Sequence, residues 1–81
     1  MDELDALWDV QSAARWATDV RRRLLGPAAR VSPETIWKWV ERGHLEVAER
    51  FGKQLRLAPL AVARAERRTR DRARRVISTA A

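Results

Sequence analysis

Residues 31–45 read VSPETIWKWVERGHL, and this stretch decides the fold. Ser32 stands where a helix N-cap belongs, and Pro33 takes the first helical position, where its missing N–H costs nothing. Ile36, Trp39 and Val40 then follow at i, i+3 and i+4, which makes one face apolar. Glu34, Lys38 and Glu41 fall opposite it, with Thr35 and Trp37 on the two flanks. Gly43 ends the pattern, so the spacing predicts a helix over 33–42. A helix this short does not persist alone in water and must dock on a longer one.

That longer helix lies upstream. Asp9 is placed to cap it, with Ser12 three positions on, and Val10, Ala13, Ala14, Ala17, Val20 and Leu24 continue at helical spacing over 10–25. Gly26-Pro27 stops it and opens a loop to Val31. Arg21 projects close to the centre of the apolar stripe. Either the helix bends before it, or its stem packs while its head reaches out to solvent. Residues 1–8 are a short lead whose Leu4, Leu7 and Trp8 can fold back on the body.

Downstream, the period changes to two. Leu45, Val47, Leu55 and Leu57 are apolar, with Glu46, Gln54 and Arg56 between them, which predicts a β-hairpin over 45–57 turning at Phe51-Gly52-Lys53. Pro59 opens a third helix over 59–77, with Ala58 as a poor cap. Arg64, Arg68, Arg72 and Arg75 line one side of it, and Val62, Ala65, Thr69, Ala73 and Val76 form a narrow seam on the other. The fold class is mainly α: a single domain over 1–81, a winged helix-turn-helix of three helices with a two-stranded hairpin between the second and third.

Composition narrows the function. A domain of 81 residues buries only about 60% of its unfolded surface. With no cysteine, neither a disulfide nor a thiolate zinc site adds to that core, and the chain suits a reducing cytoplasm. No apolar run is long enough to span a membrane, and the acidic start is unlike a secretory signal. The formal charge is +6 and the sequence pI is near 11.4, which favours a polyanionic partner. The charge is uneven: residues 1–20 carry Asp2, Glu3, Asp5, Asp9 and Asp19 against Arg15 alone, while residues 61–75 carry seven arginines against Glu66 and Asp71. Arginine suits bidentate contact with phosphate and guanine, and is also what a GC-rich genome encodes by bias.

The order of these parts resembles the MerR and excisionase type of winged helix-turn-helix proteins. The resemblance runs over about residues 7–70, through DVQSAARWA, VSPETIWKWVERGHL, the FGKQLRL hairpin and LAVARAERRTR. It implies that the helix after the Ser-Pro turn is a recognition helix, that Trp39 packs inside, and that Thr35, Lys38 and Arg42 face double-stranded DNA while the hairpin serves as a wing. Two features depart from the family pattern. Asp19 to Arg30 is longer than the usual link between the first two helices, so groove entry is shifted or helix one is extended. The wing also lacks the glycine pair and histidine of some members.

Donor chemistry assigns the expected roles. Lys38 and Arg42 suit guanine O6 and N7, and Thr35 suits a base or a phosphate. The helix start at Ser32 offers free N–H groups to a phosphate. Arg50, Lys53 and Arg56 support from the wing. Glu34 and Glu41 either meet cytosine amino groups or pair with Lys38 and Arg42 along the helix, the pairing being the favoured reading. Trp8, Trp16 and Trp39 are core candidates, which leaves Trp37 as the tryptophan for contact or for packing against the first loop.

His44 stands without the further ligands a metal needs, so no cofactor or metal is expected. No nucleophile and base, Gly-rich phosphate loop or carboxylate pair suggests an enzyme. The third helix can bridge its own charge through Glu66–Arg70 and Asp71–Arg75, contact phosphates, or pair along its seam. The expected output is transcription regulation or the directionality of DNA recombination, with self-association on DNA as a dimer or head to tail. The competing class is a protein-interaction module whose basic helix docks on an integrase or polymerase. A membrane-surface role lacks the large apolar face it needs.

Overall fold

A computed structural model describes residues 6–80, with side chains described as far as Arg72. The chain forms α1 (Val10–Leu25), α2 (Pro33–Glu41), β1 (Glu49–Phe51), β2 (Gln54–Arg56) and α3 (Pro59–Ala80). This is a compact, mainly α domain with an antiparallel hairpin between α2 and α3, an arrangement consistent with a winged helix. Its core joins Val10, Ala13, Ala14 and Ala17 of α1 to Ile36 and Trp39 of α2, Leu55 and Leu57 at the hairpin, and Val62 and Ala65 of α3. Val31 and Leu45 close it from the loops. The alanines of α1 let its partner helices approach closely.

Local chemistry accounts for each boundary. The Asp9 carboxylate accepts the Ser12 N–H at 2.7 Å and caps α1. Ser32 Oγ accepts the Thr35 N–H at 3.2 Å and caps α2, with Pro33 in the first turn. α2 closes on a Schellman pair. Gly43, at φ +78°, donates to the Val40 carbonyl, and His44 donates to that of Trp39 at 2.8 Å. α3 starts at Pro59, with the Ala58 carbonyl accepting from Val62 at 3.1 Å.

The hairpin is shorter than the alternation suggested. Each strand has three residues, paired Glu49 with Arg56, Arg50 with Leu55 and Phe51 with Gln54. Phe51 is therefore in β1, and the turn is Gly52-Lys53. Gly52 has φ +59° and Lys53 does not have positive φ, the sign pattern of a II′ turn. Leu45 and Val47 lie outside the ladder: the Leu45 N–H is taken by the Trp39 carbonyl at the end of α2, at 3.2 Å, and their side chains pack on the core, Leu45 being buried and Val47 half-buried. Leu57 leaves the hairpin for another partner: its N–H and C=O exchange 2.8 Å hydrogen bonds with those of Trp8, fastening the lead to the base of the hairpin. Trp8 also packs on Trp16, ring centroids 5.7 Å apart. Leu4, in the expected fold-back, lies outside the described residues, as do Asp2, Glu3 and Asp5.

Arg21 follows neither expected course. α1 continues through it, and its head turns inward rather than to solvent. Its Nε lies 3.1 Å from Glu66 Oε2, its Nη2 donates to Thr69 Oγ1 at 2.6 Å, and its guanidinium sits 5.3 Å from the centre of the Trp39 ring. Glu66 is only 1% exposed and also meets Arg70 Nη1 at 3.4 Å, so a buried carboxylate draws the arginine in. The apolar stripe of α1 fades around this point. Val20 is half-buried and Leu24 is 51% exposed. On α3, Val62 and Ala65 are buried inside the monomer, so that end of the seam is not open for pairing between chains. Ala73, Arg75 and Val76, with the expected Asp71–Arg75 pair, lie outside the described side chains.

Candidate nucleic-acid interface

α2 is held by its apolar face and turned outward by what remains. Ile36 is fully buried, Trp39 is 5% exposed and Val40 is half-buried. Lys38 lies opposite and is exposed, with Glu34 and Glu41 on the same side. Arg42 is the C-cap rather than a helical residue, is exposed, and still donates its N–H to the Lys38 carbonyl at 2.9 Å. The loop entering α2 is fixed from α1: Thr18 Oγ1 donates to the Val31 carbonyl at 3.0 Å and accepts the Val31 N–H at 2.9 Å.

Two expectations about this surface change. Glu34 and Glu41 make no ion pair with Lys38 or Arg42. The ion pairs among the described residues are Arg21–Glu66 and Arg70–Glu66. Exposed pairs gain little against the side-chain entropy they give up, so the four charges stay separate. The start of α2 also has fewer free donors than expected. Pro33 has no N–H and Thr35's is bound to Ser32, which leaves Glu34's in that turn. The Thr35 hydroxyl is itself 3.0 Å from Ser32 Oγ, so Ser32 and Thr35 satisfy one another across the cap.

Trp37 faces the wing rather than the first loop. It lines a cleft of about 450 Å³ with Lys53, Gln54, Leu55 and Arg56 on one wall and Asp9, Gln11 and Pro33 on the other. The structure thus brings Trp37, Lys53 and Arg56 together beside α2. Arg50 does not line this cleft: it lies on β1, paired with Leu55 across the hairpin, while the cleft is lined by the turn and β2. The Asp9 carboxyl is held below its usual range, first by the Ser12 amide hydrogen bond and further by the Arg56 and Arg15 charges.

Residues that orient the surface, Thr18, Arg21, Glu66 and Thr69, were not singled out as site residues by sequence. The misplaced charge of Arg21 on an apolar stripe was the signal that could have found Glu66 and Thr69, whereas no such signal marked Thr18. Among the described residues no group of His, Asp and Glu could hold a metal ion, and no helix is long and apolar enough to cross a membrane. Compared with known proteins, the chain matches no family model, no curated protein and no solved structure.

Proposed function

We propose that the chain binds double-stranded DNA, laying α2 in the major groove and resting the hairpin on the flanking backbone. The observation that carries this reading is the division of α2: Ile36 and Trp39 anchor it while Lys38 and Arg42 are left exposed. A major groove about 12 Å wide admits one helix. Lys38 and Arg42 donate to guanine O6 and N7, Thr35 and Trp37 contact from the flanks, and Lys53 and Arg56 neutralise phosphates, with Arg50 reaching from β1. A protein of this kind acts by occupying DNA, alone or in side-by-side copies, and so controls transcription or the direction of recombination.

The test is duplex binding against salt, followed by selection of sites from random duplexes. Contact with about six phosphates gives a log–log slope near −5. Lys38→Ala is expected to cost roughly 1–3 kcal/mol and to relax preference at one base position. Equal binding by variant and parent across the selected sites removes Lys38 as a reader. A second reading is favoured by α3, whose Arg64, Arg67, Arg68 and Arg72 are exposed beside an exposed Leu60: a module docking on an acidic protein surface. Absence of duplex binding at about 50–100 mM salt selects that reading.

A further inference from the structure

The start of α2 divides two clefts. Gln11 and Pro33 border both the cleft of Trp37, Lys53 and Arg56 and a second one, of about 460 Å³, lined by Arg15, Arg22 and Arg30. These three arginines are exposed, and none takes part in either ion pair of the described residues. They are also placed rather than loose. The Arg22 Nε donates to the Ala29 carbonyl at 3.3 Å, which commits one edge of its guanidinium to the loop and leaves both Nη groups for a ligand. Arg30 adjoins Val31, which Thr18 fixes on both its N–H and its C=O. The one carboxylate lining this cleft is Asp19.

A helix in the major groove has a phosphodiester strand on each side. The wing supplies cations beside Trp37 of α2, and the second cleft supplies them at the start of the helix, where the two clefts meet at Gln11 and Pro33. We infer that Arg15, Arg22 and Arg30 form a phosphodiester-binding cleft that grips the DNA backbone at the start of α2, beyond the stretch the wing reaches. The inference rests on the duplex-binding reading above and adds to it a second backbone contact, built from α1 and the loop after it. Arginine is suited to this task because its fork donates two parallel hydrogen bonds to one phosphate. Asp19 opposes the same anion and limits the grip.

The experiment measures binding of the full chain to a short mixed-sequence duplex across about 50–200 mM salt. Arg22→Gln with Arg30→Gln is expected to reduce the log–log slope by about 1.8, at about 0.9 per phosphate released, without changing the base preference in site selection. Arg22→Lys with Arg30→Lys restores the slope, since lysine keeps the charge. Asp19→Asn acts in the opposite direction and tightens binding. Should loss of the Arg22–Ala29 bond unfold the first variant, Arg15→Gln with Arg30→Gln carries the test, as it leaves that bond in place. A parent that binds duplex while the glutamine variants and Asp19→Asn keep its slope and affinity overturns this cleft and leaves the α2 reading standing. A parent that does not bind duplex overturns both.

Discussion

The Asp9 carboxylate is kept ionised by the Ser12 amide at the start of α1, with Arg56 and Arg15 adding to the effect. Its folded-state pKa is lowered, so its contribution to stability is complete above the ordinary aspartate value of 3.8 and is lost as the pH falls through the lowered one. Asp9→Ala is expected to cost about 1 kcal/mol near neutral pH, and the gap from the parent should narrow in acid. Asp9→Asn keeps an acceptor for Ser12 and should show no such acid dependence at this site. Urea unfolding near neutral pH and at about pH 3 distinguishes the three proteins. Caps of this kind are legible in sequence because donor and acceptor lie three residues apart. The pairing of Ser32 with Thr35 is equally local, but its effect on the site was missed: a hydroxyl that completes a cap is less free to read a base.

At the scale of the element, α2 has one outward face because its termini are fixed by Ser32 and by the Schellman pair at Gly43. A methyl group added at Gly43 meets nothing within 4 Å, so the cost of Gly43→Ala is the left-handed backbone alone. We expect about 1–2 kcal/mol, measured by thermal or urea unfolding. A larger loss would mean that the substitution also disturbs packing. The helices were legible because apolar period and stop signal coincide in each, and α3 merely runs on past Ile77 to Ala80. The hairpin was only partly legible. Alternation over residues 45–57 reports which side chains face the core, and Leu45 satisfies it without belonging to a strand. The ladder depends on backbone partners that the pattern does not reveal.

Across the whole molecule, Glu66 ties the three helices together. It holds Arg21 of α1, and Arg21 lies against Trp39 of α2, so the carboxylate on α3 bears on the angle at which α2 is presented. Glu66→Ala leaves Arg21 and Arg70 without their buried partner and is expected to cost about 3 kcal/mol. Replacing the pair together, Arg21→Met with Glu66→Leu, should recover most of that loss. Urea unfolding of Glu66→Ala checks the first statement and a double-mutant cycle of Arg21→Met and Glu66→Leu the second, and additive losses in that cycle would show that the pair is not coupled. No local pattern contains this contact, because its members come from distant parts of the chain. The outward face of α2 was readable from periodicity alone, whereas the grouping of Trp37 with Lys53 and Arg56 depends on how the hairpin leans, which only the folded chain fixes.

The bridge between Trp8 and Leu57 has a consequence for the order of assembly. It encloses about 50 residues of chain, and so large a loop closes only after the intervening helices have brought its ends near. On the ribosome, the stretch before α1 emerges early and waits for the base of the wing to be synthesised. The hairpin's own ladder is local and does not wait, whereas the anchorage of its base through Leu57 comes only once Trp8 has been brought alongside.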